Sequence, residues 1–205
     1  MKSLSIFIVG LAFCLLSVNS IYAQADQNLD YTISNTSQIK LEGTSTMHSF
    51  HLSTKVINGN MQFDNGNTND AVDSLGAVEG MKVVVPVKDL KSGEDGLDEK
   101  MRDALKADDN PNITYVLSKV DSVVYKNQSK TEFTMNTEGT LTVAGKSKNI
   151  DMKVDGNING NNIIFKGEKK LLMTDFGVDP PTMFFGVLKT GNEVTIDFDV
   201  TLVKK

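Results

Sequence analysis

The strongest constraint on this chain is a two-residue hydrophobic period that keeps returning, punctuated by Asn-Gly and Asp-Gly pairs. Phe133, Met135, Thr137, Gly139, Leu141 and Val143 form one long row. Val194, Ile196, Phe198, Val200 and Leu202 form another, opposed by Thr195, Asp197, Asp199 and Thr201. Ile39, Leu41 and Gly43 share a face, as do Phe50, Leu52, Thr54 and Val56. Met81, Val83, Val85 and Val87 oppose Lys82, Val84, Pro86 and Lys88, while Ile150, Met152 and Val154 oppose Asp151, Lys153 and Asp155. Successive strand side chains point to opposite faces, so each stretch is a half-buried strand. Asn58-Gly59, Asn65-Gly66, Asp155-Gly156 and Asn159-Gly160 read as turns. Further strands near 113–124 and 162–170 bring the expected total to eight or nine.

One segment breaks this rhythm. Over 97–106, Leu97, Met101 and Leu105 recur every four residues, Asp95 and Asp98 stand near the start, and Pro111 follows the end. This spacing predicts a short amphipathic helix with acids at its N-terminal end. Its single apolar stripe is suited to packing on a sheet or over a barrel mouth. Many antiparallel strands and one helix need a closed or two-layer arrangement. The strands are long, and their inward rows mix Gly and Thr with Phe and Met, which leaves space rather than filling it. Both features favour a barrel over a sandwich. Eight strands make a barrel wide enough for one small ligand.

The N-terminus has the layout of a secretory signal peptide: Lys2, an apolar stretch over 4–18, then Ala23 and Ala25. The stretch is shorter than the ~20 residues of a membrane span, so no transmembrane anchor is expected. Cleavage after Ala23 or after Ala25 fits; the former divides the chain into a leader, 1–23, and one domain, 24–205. Cys14 is the only cysteine, and Phe13 before it argues against a lipid anchor. Once the leader is gone the domain has neither disulfide nor thiol nucleophile, and its stability rests on its core. The expected location is periplasmic or secreted. The formal charge is −5, and loss of Lys2 makes it slightly more acidic. Nucleic acid is therefore an unfavourable partner, since phosphate binding wants a basic surface.

Several segments carry a family resemblance. Ser37 to His48 (SQIKLEGTSTMH) is the first. The second runs from Val85-Pro86-Val87 through Leu90-Lys91-Ser92-Gly93 and the expected helix to Asn110-Pro111-Asn112-Ile113. Gly139 to Lys148 (GTLTVAGKSK) is a hairpin-like third, and Thr174 to Pro181 (TDFGVDPP) followed by Gly191 to Phe198 (GNEVTIDF) is the most specific. In this order, over roughly 30 to 203, the chain resembles the YceI-like family of lipid- and polyisoprenoid-binding proteins. The resemblance implies an all-β, eight-stranded antiparallel lipocalin-like β-barrel with one short amphipathic helix. It also implies binding of a long-chain amphiphile, an isoprenoid or fatty-acid derivative, in the cell envelope. The acidic, Asn-rich stretch over 64–76 departs from the family and reads as a longer surface loop.

On this reading the cavity wall falls to Phe50, Val83, Val85, Met101, Phe133, Met135, Phe165 and Phe176. Phe184 and Phe185, with Met183, form either a plug over the barrel end or a wall of its mouth. Methionine is well represented, at 9 residues, and its flexible thioether suits a cavity that accepts a flexible chain as well as ordinary core filling. His48 and His51 are the only histidines. Three apart on a strand, they face opposite sides and cannot chelate together, so no metal or other cofactor is expected. His48 shares a face with Phe50 and Leu52, which makes it either a hydrogen-bonded core histidine or a head-group contact. Asp175-Phe176-Gly177 lacks the phosphate loop and catalytic loop of a kinase. No nucleophile elbow accompanies the many Ser and Asp residues, so enzymatic chemistry is not expected. The expected function is binding or carriage of a long-chain amphiphile. The competing expectation is a structural or stress-related envelope barrel filled by its own side chains. A homodimer is one assembly state the sequence allows.

Overall fold

The computed structural model describes residues 29–63, 75, 78–183 and 188–205. The signal segment with Cys14, the Asn65-Gly66 pair, and Phe184 and Phe185 lie outside the described residues. The alternating rows form strands that follow one another around a closed barrel in chain order. β1 (Leu29–Ile33) and β2 (Gln38–Ser45) run in line along the last strand, β11 (Leu188–Lys204), with Tyr31 opposite Lys204 and Ile39 opposite Phe198. They are two halves of one broken stave. The break is pinned by Ser37, which is fully buried; its hydroxyl donates to the Thr201 carbonyl (3.3 Å) and accepts from the Thr201 N–H (3.0 Å). β3 (Ser49–Thr54) and β4 (Asn58–Phe63) make the second stave in the same way.

The remaining staves are β5 (Val78–Pro86), β6 (Asn112–Tyr125), β7 (Glu132–Val143), β8 (Lys146–Asn159), β9 (Asn162–Leu172) and β11, and β11 closes the ring against β1 and β2. The fold is an eight-stranded antiparallel barrel with, among the described residues, one α-helix, lipocalin-like as expected. A short strand, β10 (Thr182–Met183), pairs with the start of β11.

Some local expectations need correction. Asp155-Gly156 is not a turn but lies inside β8, where Gly156 makes room for the Phe133 ring across the ladder. The β7–β8 hairpin instead turns on Ala144 and Gly145, both at positive φ (49° and 78°), the backbone twist that two-residue hairpins favour. Asn58-Gly59 opens β4, whereas Asn159-Gly160 does lead into the β8–β9 turn, with Gly160 at φ 58°. Val56 is exposed and Ile57 buried, because the break in the second stave shifts the alternation by one residue.

The helix, α1 (Asp95–Ala104), crosses one end of the barrel between β5 and β6. Met101 and Leu105 bury its apolar stripe. Asp98 fixes its start from within: only 4% exposed, it accepts the Ser92 N–H and hydroxyl, each at 2.7 Å, and faces Lys91 Nζ at 3.5 Å. The packed core is divided in two. Beneath α1, Leu41, Phe50, Leu52, Val87 and Met173 form one cluster. At the opposite end Tyr31, Phe63, Phe133, Ile163 and Leu202 form the other, with edge-on ring contacts at 5.5 Å for Tyr31–Phe63 and 6.1 Å for Phe133–Phe165.

Candidate ligand-binding cavity

Between the two clusters the inward rows do not meet, and a cavity of about 210 Å³ remains. Its wall is drawn from every stave and from α1. A water-sized group takes about 10–15 Å³ of such space, so the cavity holds on the order of fifteen of them. Six methionines line it: Met61, Met81, Met101, Met135, Met152 and Met173. Among the described residues that line it, only Tyr115, Thr137 and Lys169 carry polar side-chain atoms. The Tyr115 hydroxyl is buried, with no partner in hydrogen-bond geometry among the described residues. Burial raises its pKa, and the neighbouring Thr137 hydroxyl offsets only part of that effect. Thr137 itself donates to the Met152 carbonyl at 3.4 Å.

Of the residues singled out from sequence, Val83, Val85, Met101, Met135, Phe165 and Phe176 line this cavity. Phe133 and Phe50 do not. Both point inward, but they stand at the ends: Phe133 is wholly buried among the aromatics of one cluster, and Phe50 packs under α1 with its ring against Gly43. The row gives a side chain's face but not its height in the barrel, which depends on strand stagger. His48 is exposed, contrary to the inward placement expected of it. It sits in the turn after β2, one residue before β3 begins, so the alternation of Phe50 and Leu52 does not extend back to it. His51 lies outside on β3, its Nδ1 3.3 Å from Glu42. Among the described residues no three His, Cys, Asp or Glu side chains gather as metal ligands would. Wall residues not singled out include Ile150, Met152, Ile196 and Phe198, which the same alternating rows contain. Tyr115 and Lys169 had no such signal, since neither stands out from its strand's polar residues.

The arrangement suits an apolar chain, for among the described residues its wall is nearly free of groups that would bind water. Among the described residues no helix is long and apolar enough to cross a membrane.

The family model of the YceI-like domain matches residues 31–202. No curated protein matches the chain. Solved structures share the fold at low identity. BcnA of Burkholderia cenocepacia superposes with a TM-score of 0.63 at 17% identity, covering 82% of this chain and 98% of that one. A domain from Saccharophagus degradans, described as polyisoprenoid-binding and implicated in plant cell wall breakdown, gives 0.64 at 14% identity over 86% and 99%. The Campylobacter jejuni YCEI protein gives 0.52 at 18% identity over 74% and 82%.

Proposed function

Since the chain belongs to the YceI-like family, we propose that it is an exported carrier that holds a long-chain apolar amphiphile, an isoprenoid or fatty-acid derivative, without acting on it. The observation that carries this reading is the cavity itself. An apolar hollow of 210 Å³ forgoes packing worth on the order of 5 kcal/mol at ~24 cal/mol per Å³. That is comparable with the whole stability of many domains. A barrel serving only as a scaffold would gain by filling the space with larger side chains. Occupied, the space repays its cost: each buried methylene contributes roughly 0.8 kcal/mol, so a chain of about fifteen would gain on the order of 12 kcal/mol before the entropy of association is subtracted. The likeness to a domain described as polyisoprenoid-binding supports the ligand class. The signal-like N-terminus supports export. Val83, Val85, Met101, Met135, Phe165 and Phe176 would contact the chain.

Mass spectrometry of an organic extract from purified protein tests the proposal. A long-chain species in stoichiometric amount is the expected result. A blank extract, repeated on protein purified gently from its native envelope, would favour instead a barrel with a structural role.

A further inference from the structure

One stretch of the wall is not sealed by a strand ladder. β8 and β9 pair only from Asp155 opposite Lys166 to Asn159 opposite Asn162, at the hairpin end. Beyond that, among the described residues, β8 pairs with β7 alone and β9 with β11 alone. The gap has a closed far end, because the 3₁₀ turn Met173–Phe176 crosses it and Asp175 reaches Lys148 at 2.5 Å. The result is a framed window in the strand ladder on the side of the barrel, with a groove of about 250 Å³ on its outer side. Ile150, Lys169, Leu171 and Leu172 line the groove and the inner cavity alike, so the two spaces share a wall.

Lys169 is the unusual member. It belongs to the inward row of β9, with Ile163, Phe165, Gly167 and Leu171, and among the described residues is the only charged side chain on the cavity wall. Its ammonium donates to the main-chain carbonyl of Asp151 at 2.6 Å. Among the described residues no carboxylate comes within ion-pair distance of it, whereas its neighbours are matched: Lys148 with Asp175, and Lys170 with Glu193 at 3.3 Å. The Asp151 carboxylate belongs to the outward row of β8 and is exposed. One carbonyl leaves the Lys169 ammonium, which sits at the exposed edge of an apolar wall, with donors to spare for an anion.

We infer that the window between β8 and β9 seats the head group of the ligand, and that Lys169 selects an anionic head, carboxylate or phosphate, while the tail lies in the cavity. This rests on the carrier reading above. The head therefore leaves through the side of the barrel, not past α1.

Equilibrium dialysis of the delipidated protein against palmitate, hexadecyl phosphate and hexadecanol tests it. The wild type should hold the two anions about tenfold more tightly than the alcohol, the scale of one charge-assisted hydrogen bond. Lys169→Met, which continues the apolar row of β9, should erase that preference, with its fold checked by circular dichroism. Lys169→Arg should restore it. A wild type that binds all three alike, or a Lys169→Met protein that keeps the preference, overturns the inference and leaves the carrier reading intact. A wild type that binds none of the three overturns both.

Discussion

A recurring device at the level of single residues is a glycine on one strand covered by an aromatic ring from its neighbour. Phe50 lies over Gly43, Phe133 over Gly156, Phe198 over Gly167 and Tyr115 over Gly139. In each case the missing side chain lets a large ring lie flat along the inner wall. A Cβ at Gly156 would stand 2.2 Å from the Phe133 ring, so Gly156→Ala must displace a residue with no exposed surface. We expect it to lower stability by about 1–3 kcal/mol, as overpacking does, measured by urea denaturation. The same glycine explains a misreading. Asp-Gly is a turn signal by composition, and nothing local in the sequence reveals that the space beside it is claimed by a phenylalanine in the preceding strand. His48 was misread for a similar reason, since its place depends on where β3 starts.

Among the elements, α1 shows which features sequence carries well and which it does not. The four-residue spacing of Leu97, Met101 and Leu105 marked the helix and its buried face, and the structure places it close to the expected span. The role of Asp98 was not legible, because its partner Ser92 lies in the preceding loop, whose path is set by a bridge between Lys91 and Ser53. Burial alone would raise the Asp98 pKa, but the Ser92 N–H and hydroxyl and the Lys91 charge outweigh it and hold the carboxyl below its ordinary value. A depressed native pKa stabilises the fold above the unfolded value, about 4, and that contribution is lost as pH falls through the native one. Asp98→Asn should therefore cost about 1–3 kcal/mol at pH 7. The gap from wild type should shrink toward pH 3, as read by denaturant titrations at the two values. A gap that is constant with pH would assign Asp98 a role in packing alone.

For the molecule as a whole, the barrel was legible because each stave announces itself by alternation, and the staves pair in chain order. What the rows could not give was the vertical position of each inward side chain. Phe133 and Phe50 were therefore expected in the wall but stand in the end clusters. The void between those clusters yields a prediction of its own. Enlarging two wall residues together, Met152→Phe with Ile196→Phe, should raise stability by about 1 kcal/mol by filling space while weakening palmitate binding. Thermal melts and dialysis on the same preparation would show the two effects moving in opposite directions. The closure of the ring by β11 against β1 and β2, noted above as topology, also governs how the chain reaches its native state. Tyr31 meets Lys204 across nearly the full described length, so the seam cannot form until the last strand is available. Such long-range pairing is slow, about milliseconds to seconds in two-state β proteins, and both strand edges stay unpaired in the interval. A barrel that cannot close before β11 is made needs protection from edge-to-edge aggregation until that strand takes its place.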